Sequence, residues 1–532
     1  MGLPPGNSKG PTWPYPWVQP VDVNILMVAD GERITFFPNH DFSLSVVLDT
    51  LRHSPWWVRF NITTAHRGTD MYGTPDIPAF SFTKKGVDLS AYDEVWFFGD
   101  DGADLSGDEN AAIAKFMDAG GGVFATGDHE ALGAGMGAGL LRAGLMRKWK
   151  FGGPLGDPPP VSDVDRHDTL VPGPDGIYDF FDQSDDRPQF ISVRQKFGWS
   201  PYPGVQESFP HPLLCGSKGP ITVLPDHMHE GECAIPGDFS GSYAAGGYTT
   251  AQWPGSVRPE IIADATVTAH HDEKFGDVNG KTFGVIAAYD GHQASVGRVA
   301  TDATWHHWFN VNLTGYADPA ELSFGTPEPQ DTVGFLGSLQ GKKYFAQIKE
   351  YHRNVAMWLA PKAKVKAMFD KAVAGLPWIA PLSEYTAKTP IYVLGTAARD
   401  AIGRAASQCV IADWIKWNLP LTLQPLSDPT IVERGFGDPA PMRGLYLYRE
   451  YALGGVVREI LALHAERRLR DADPKTVGAA VERGLRRGFA ELVTYEQRAA
   501  RHTELLTEAL REFAAAEQPA PGSRGTATTV KR

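Results

Sequence analysis

Short apolar runs separated by polar, glycine-rich segments dominate the first three fifths of the chain. Runs of this length without polar alternation are typical of strands that are buried on both faces of a parallel sheet. Six such runs stand out, Val23–Ala29, Glu94–Phe98, Gly122–Thr126, Ile221–Leu224, Gly284–Tyr289 and Val299–Trp305. The pattern therefore predicts a mostly parallel sheet that begins near residue 21.

Segments with helical spacing of apolar residues lie between the first of these strands. Residues 42–51 have this spacing, and residues 130–143 form a second candidate helix. The clearest helix begins at Ser106, because Glu109 three residues later completes a capping box, and it ends at the glycines from Gly120 onward. Strands and helices that alternate in this way predict a doubly wound, flavodoxin-like α/β fold with long insertions.

The remainder of the chain has almost purely helical spacing. Apolar stripes among charged residues predict helices over 344–359, 362–374, 391–417, 450–470, 475–489 and 491–513. An all-α helical domain therefore follows the α/β domain. The predicted boundaries are an irregular arm over 1–20, the α/β domain over 21–317, a linker over 318–341, the helical domain over 342–516 and a disordered tail over 517–532.

Composition narrows the class of protein. The 532 residues include 42% hydrophobic and 21% charged residues, as expected of a globular protein, and the net charge of −13 disfavours a nucleic-acid partner. No run of about 18 apolar residues predicts a membrane span, and Met1–Trp17 lacks the apolar segment of a signal peptide. Three cysteines without a Cys-x-x-Cys pair give no disulfide framework and no thiolate zinc site. We therefore expect a cytoplasmic protein that binds a small-molecule ligand.

Acidic and histidine side chains follow almost every predicted strand. Ligands bind beyond the carboxyl ends of strands in such sheets, so these positions predict the site. We assign substrate binding to Asp30, Asp100, Asp101 and His292, catalysis to Asp128, His129, Glu130 and His306, and metal binding to His227, His229 and Glu230. His306 and His307 are adjacent and face opposite ways, so only one of the two should point into the site.

Imidazole and carboxylate groups together suit two kinds of chemistry. They bind zinc, iron or manganese, and they serve as general acids and bases near neutral pH. His227 and His229 project from the same side of an extended segment, which predicts a divalent-metal site beside Glu230. The simpler interpretation is that each cluster is a solvated turn, because Asp and Gly are common turn formers.

The segment Thr126–Glu130 carries the strongest local signal. It joins a predicted strand to a predicted helix through Gly127, which is the arrangement of a nucleophile elbow. Asp128 would then stand at the exposed tip of the turn, where the dipole of the helix favours a carboxylate. An equally open interpretation is that Asp128 only caps the helix that follows.

These strands resemble the class I glutamine amidotransferase-like superfamily, and within it most nearly the trehalose-utilization (ThuA-like) branch. The segments that carry the resemblance are Val23–Ala29, Tyr92–Phe98 with its helix Ser106–Gly120, Gly121–Gly127, His211–Leu214 and Gly297–His306. It covers about residues 21–315, with insertions near 150–210 and 230–260, and it does not extend to the helical region.

The departures from the superfamily pattern bear on activity. The resemblance implies a cysteine nucleophile at the elbow, where this chain has Asp128, and a later His-x-Glu pair near His306, where Trp308 replaces the carboxylate. Glutamine hydrolysis through a thioester is therefore not expected, and ThuA-like members also lack that cysteine. We expect a metal-assisted hydrolase. The alternative is a non-catalytic ligand-sensing or assembly protein whose helical domain forms a homo-oligomer.

Overall fold

The structure of the chain is a computed structural model. It describes residues 19–38, 40–68, 75–160, 188–194, 196–199, 206–225, 231–267, 269–272, 276–315, 333–405, 411, 414–415 and 448–516. The predicted tail, most of the N-terminal arm and most of the linker lie outside these ranges. Within them, no helix combines the length and the apolar content that crossing a lipid bilayer requires.

The described residues contain 18 strands and nine α-helices. The strands are β1 (Val21–Ala29), β2 (Val58–His66), β3 (Glu94–Phe98), β4 (Gly122–Thr126), β5 (Pro188–Phe190), β6 (Ser192–Val193), β7 (Lys196–Trp199), β8 (Gln206–Phe209), β9 (Cys215–Gly216), β10 (Gly219–Pro220), β11 (Val223–Pro225), β12 (Ser242–Ala245), β13 (Tyr248–Ala251), β14 (Glu260–Val267), β15 (His270–Asp272), β16 (Gly276–Val278), β17 (Lys281–Tyr289) and β18 (Val299–Asp302). The helices are α1 (Ser45–Arg52), α2 (Gly107–Asp118), α3 (Ala134–Gly137), α4 (Val311–Thr314), α5 (Leu339–Leu359), α6 (Lys362–Gly375), α7 (Ile391–Gly403), α8 (Tyr448–Ala465) and α9 (Pro474–Ala516).

The central sheet has eight strands in the order β2-β1-β3-β4-β18-β17-β14-β6. The first five are parallel, and their order is that of a flavodoxin-like sheet. The last three each run antiparallel to their neighbours. The predicted α/β fold with a mostly parallel sheet and a following helical region is confirmed.

Local sequence signals account for much of this sheet. Every residue of β3 and β4 is buried, as expected for apolar runs covered on both faces. The predicted capping box of α2 is confirmed, because the Ser106 hydroxyl accepts from the Glu109 N–H and the Glu109 carboxylate accepts from the Ser106 N–H. The structure adds β2, a strand that the hydrophobic pattern did not predict.

Three predicted helices differ from those in the structure. The predicted helix over 130–143 is reduced to the four residues of α3 and a 3-10 turn at Ala143–Leu145. Gly133 has a left-handed φ of 86°, and a Cβ atom on Gly137 would lie 2.2 Å from the Trp149 ring. Gly133 therefore forms a turn, and Gly137 allows close packing against Trp149. Glycine also disfavours a continuous helix. Conversely, the predicted helices over 475–489 and 491–513 are one uninterrupted helix, α9.

The first helices of the predicted helical domain pack on the sheet. Helix α5 contacts β4 and β18, and α6 contacts β1. The buried Arg298 side chain donates from Nη1 to the main-chain oxygen of Trp358 at 2.9 Å. The α/β layer is thus covered by residues from beyond the predicted linker. The domain boundaries themselves stay a prediction.

Candidate functional site

The carboxyl ends of the parallel strands meet at one edge of the sheet. Asp30 follows β1, Asp100 follows β3, Asp128 lies two residues beyond β4, and His306 follows β18. These strands are consecutive neighbours, so adjacent ends are about 5 Å apart. Four of the predicted site residues therefore lie along one edge, and Asp30 and Asp100 flank the topological switch point between β1 and β3, where ligands bind in such sheets.

Asp128 is in contact with two histidines. Its Oδ2 atom lies 2.8 Å from Nδ1 of His129 and 3.5 Å from Nε2 of His306. The His129 side chain is 12% exposed, whereas Asp128 is fully buried and His306 nearly so. The structure therefore joins three of the four predicted catalytic residues and leaves only His129 in contact with solvent.

The predicted environment of Asp128 needs correction. It does not stand at an exposed tip, and no helix starts directly after it, so neither a helix dipole nor helix capping explains its position. Its N–H instead donates to the Leu132 oxygen within a compact turn. A Cβ atom on Gly127 would lie 2.3 Å from that same oxygen, so glycine is required by the close approach of the two backbones.

The surroundings of His306 keep it neutral. Burial lowers the pKa of this histidine, although its hydrogen bond to Asp128 opposes the shift. Its Nδ1 atom lies 2.7 Å from Oδ1 of Asn312. A neutral ring that donates from Nε2 to Asp128 must accept at Nδ1, which the Asn312 side chain allows when its amide nitrogen occupies that position. His306 then fixes the Asp128 carboxylate without carrying charge.

Carboxylates of β1 and β3 form the other half of the edge. Oδ1 of Asp30 accepts from the Asp100 N–H at 2.7 Å, and Arg33 binds the Asp100 carboxylate through Nε and Nη2. Burial raises the pKa of Asp30 to about 6 and also raises that of Asp100. The half-exposed Arg33 lies within electrostatic range of Asp101 and Asp128. Asp101 is itself exposed beside this group.

Arg147 was missed by the sequence analysis. Its fully buried guanidinium donates to four main-chain oxygens, those of Asp128, Lys148, Asp302 and Ala303. It therefore ties the turn after β4 to the end of β18. An arginine in an unremarkable stretch of sequence carries no local signal for such a role.

His307 points away from the site, which agrees with the expectation for adjacent histidines. Its Nδ1 atom lies 2.7 Å from Oδ1 of Asp302, and Oδ2 of Asp302 accepts from Trp308 and Tyr351. All four side chains are buried. Their contacts bind the end of β18 to α5, which is a structural role.

His292 is not brought to this edge. It follows β17, and β17 runs antiparallel to β18. Tyr289 at the end of β17 therefore pairs with Val299 at the start of β18, so His292 lies at the amino edge of the parallel strands. The predicted placement of His292 is wrong because the direction of β17 was not evident from its apolar run.

Glu130 lies beside the cluster. It has a left-handed φ of 51°, and its N–H donates to the Pro159 oxygen. The side chain is half-buried. The structure thus places Glu130 next to His129, and its predicted catalytic role stays a prediction.

The predicted metal ligands His227, His229 and Glu230 lie outside the described residues. The strand that precedes them, β11, pairs with β5 in a separate two-stranded sheet and not in the central one. Gly231 packs so closely on Arg147 that a Cβ atom there would lie 2.1 Å from Nη2. Across the described ranges, no three His, Cys, Asp or Glu side chains are grouped as a metal site requires.

Known proteins show little similarity to this chain. No family model matches the chain, and no curated protein matches it. A solved structure of a ThuA-like protein from Parabacteroides merdae ATCC 43184 is similar over 64% of this chain and 90% of that chain, with 13% identity and a TM-score of 0.24. A TM-score of this size carries no functional argument. The assignment to the flavodoxin-like class therefore rests on the strand order, and the chain has a ThuA-like neighbour among solved structures.

Proposed function

We propose that this protein is a hydrolase of the ThuA-like branch, in which His129 acts as general base and Asp128 positions it. One observation carries the proposal, the 2.8 Å contact between His129 Nδ1 and Asp128 Oδ2 at the carboxyl edge of the sheet. A buried carboxylate that accepts from Nδ1 makes Nε2 the proton acceptor of the ring. The partial exposure of His129 lets a substrate or a water molecule reach it.

The other edge residues fit supporting roles in this reaction. His306 donates to Asp128 and so orients that carboxylate. Asp30, with a pKa of about 6, can supply a proton to a leaving group at neutral pH. Asp30 and Asp128 follow strands two positions apart in the sheet, which corresponds to about 10 Å. That separation leaves room for a small substrate between an acid and a base.

The charges of the edge favour a particular class of substrate. Among the described residues, four carboxylates lie at this edge, those of Asp30, Asp100, Asp101 and Asp128, and they outnumber the nearby cations Arg33 and Arg67. Carboxylates bind groups that donate hydrogen bonds, such as hydroxyl and ammonium groups, and they repel anions. We therefore propose a small neutral or cationic substrate that is rich in hydrogen-bond donors.

A cysteine mechanism is not part of the proposal. Burial raises the pKa of the Cys233 thiol to about 12, so this group is a poor source of thiolate. A divalent zinc, iron or manganese ion held by His227, His229 and Glu230 stays a prediction, and no step above depends on it. Bound metal would supply an activated water molecule.

The test uses a panel of chromogenic esters, amides and glycosides with the purified full chain. His129→Gln and Asp128→Asn should each lower kcat/KM by about 100-fold or more, since general-base catalysis contributes about 10²–10⁴-fold. His271→Gln is the matched control, because His271 Nδ1 contacts Asp277 at 2.7 Å on the exposed β15–β16 hairpin. Unchanged turnover in His129→Gln would refute the proposal.

Metal analysis of the same preparations, with and without chelator, tests the metal hypothesis. A stoichiometric ion that is lost in the His227→Ala/His229→Ala double variant would support it. Metal-free protein with full activity would end it. The two outcomes are separate from the result for His129, because the proposed base acts with or without a metal.

One observation favours the alternative function. Asp128 is fully buried and His306 nearly so, as in a rigid structural cluster rather than an open catalytic site. A ligand-sensing protein would bind compounds of the same class without converting them. A rise in Tm with a panel compound that persists in His129→Gln, together with no turnover by the natural chain, would favour this alternative.

A further inference from the structure

The second half of helix α9 extends away from its neighbours. Its first half crosses α8 closely, because a Cβ atom on Gly488 would lie 2.1 Å from the Tyr451 oxygen. From residue 497 to 515 almost every residue is exposed. At 1.5 Å per residue, this part of the helix is about 28 Å long. A helix of this length has little intrinsic stability in water unless an apolar face is covered.

An apolar stripe with a spacing of three and four residues begins where α9 packs on α8 and continues along this exposed part. We call it the α9 stripe, and its members are Leu492, Tyr495, Ala499, His502, Leu506, Ala509 and Phe513. The exposed fractions of Tyr495, Leu506 and Phe513 are 44%, 52% and 67%. Leu510, at the edge of the stripe, is also exposed. Repeats of this kind form the contact line of two-stranded coiled coils.

We propose that the α9 stripe pairs in antiparallel orientation with the α9 stripe of a second copy of this chain. In the register that centres on residue 504, Ala499 lies opposite Ala509 and His502 opposite Leu506. Phe513 lies opposite the exposed side of Tyr495, whose ring also contacts the Tyr451 ring of its own copy, with 5.8 Å between the centroids. Large side chains therefore face each other at the two ends of the paired segment. Between these ends, the two alanines allow the two helices to approach closely. Every contact occurs twice, as a two-fold axis requires.

The charges beside the stripe select this orientation. In the antiparallel pair, Arg498 of one copy flanks Glu512 of the other, and the symmetry gives two such ion pairs. A parallel pair would form no such ion pair, because Arg498 and Glu512 would then lie 14 residues apart along the coiled coil. Flanking charges set partner choice and orientation in coiled coils. The pattern is complementary to itself when reversed, so the occupant that it fits is the same helix.

The position of the rest of the chain agrees with this arrangement. The remainder of each copy joins α9 on the N-terminal side of the stripe, through α8 and α6. Antiparallel pairing therefore places the two copies at opposite ends of the coiled coil. Parallel pairing would place them side by side at the same end.

Sedimentation equilibrium of the full chain tests the proposal. The natural sequence should be a dimer at micromolar concentration, and Leu506→Asp and Phe513→Asp should be monomers. The Tm of these monomers should be unchanged, whereas their helical circular dichroism should fall because the end of α9 is no longer covered. Val493→Asp is the matched control, because Val493 is 55% exposed on the opposite side of α9. A monomeric natural chain, or a dimer that persists in Leu506→Asp, would overturn the proposal.

A charge exchange tests the orientation. Arg498→Glu and Glu512→Arg should each weaken the dimer about tenfold, and the double variant should restore it, because the ion pairs are re-formed with reversed sign. Failure of the double variant to recover would reject the antiparallel register. A monomeric natural chain would also result if another part of the same chain covered the stripe, and it would equally reject pairing between copies.

Discussion

The stability of the Asp30→Asn variant, relative to that of the natural chain, should increase as the pH rises from acidic to neutral. Asp30 directly follows β1 and is buried, and its Oδ1 atom accepts a hydrogen bond from the Asp100 N–H. No described group donates to its Oδ2 atom. Asparagine keeps the accepting oxygen and removes the charge. Because Asn does not titrate, the variant isolates the cost of burying the Asp30 carboxylate.

The magnitude follows from the pKa of Asp30. Burial raises this pKa from 3.8 to about 6 in the folded protein. A carboxyl group with a raised folded pKa binds its proton more tightly when folded, so its contribution to stability is complete below pH 3.8 and is lost as the pH rises through 6. Two pKa units correspond to about 3 kcal/mol, of which about 2 kcal/mol falls between pH 4.5 and 8.

Urea unfolding followed by tryptophan fluorescence across this pH range measures the effect. The free energy of unfolding of Asp30→Asn minus that of the natural chain should rise by about 2 kcal/mol from pH 4.5 to 8. The test uses the change of this difference with pH and not its absolute value, because the unpaired amide of the introduced asparagine destabilises the variant by the same amount at every pH. Asp88→Asn is the control and should show a flat difference over this range, because hydrogen bonds from Ser90 lower the pKa of the exposed Asp88 and its contribution is lost only below pH 3.8. A difference for Asp30→Asn that is flat with pH would refute the reasoning.

Two further substitutions test the packing behind the site. Tyr351→Phe removes the buried hydroxyl that donates to Oδ2 of Asp302 at 2.9 Å. The free energy of unfolding in the same urea assay should fall by about 1.5–3 kcal/mol. A decrease below about 0.5 kcal/mol would contradict a structural role for this contact. Gly122→Ala places a Cβ atom 2.2 Å from the Leu359 oxygen and should cost about 1–3 kcal/mol, whereas Gly237→Ala has no neighbouring atom within 4 Å and should be nearly neutral. Equal effects of the two glycine substitutions would show that α5 does not pack tightly on β4.

The candidate site was predictable in part, for a reason that lies in the sheet. Asp30, Asp100 and Asp128 follow apolar runs that become parallel neighbours, so their shared edge could be inferred from position alone. Direction within the sheet was not predictable. An apolar run such as that of β17 is equally suited to a parallel or an antiparallel strand, and the direction of β17 moved His292 to the far edge.

The sequence by itself determined the elements whose signals are local. These are the buried strands β1, β3 and β4, the capping box of α2, the helices α5 and α6, and the adjacency of Asp128 and His129. Such features depend on residues within a few positions of each other. The tertiary structure alone decided that Asp128 is buried, that His306 rather than His307 reaches it, that Arg147 holds the turn beneath it, and that α5 covers the sheet. Each of these depends on contacts between residues far apart in the chain, because burial and partnership are properties of the packed molecule and are not carried by any single segment.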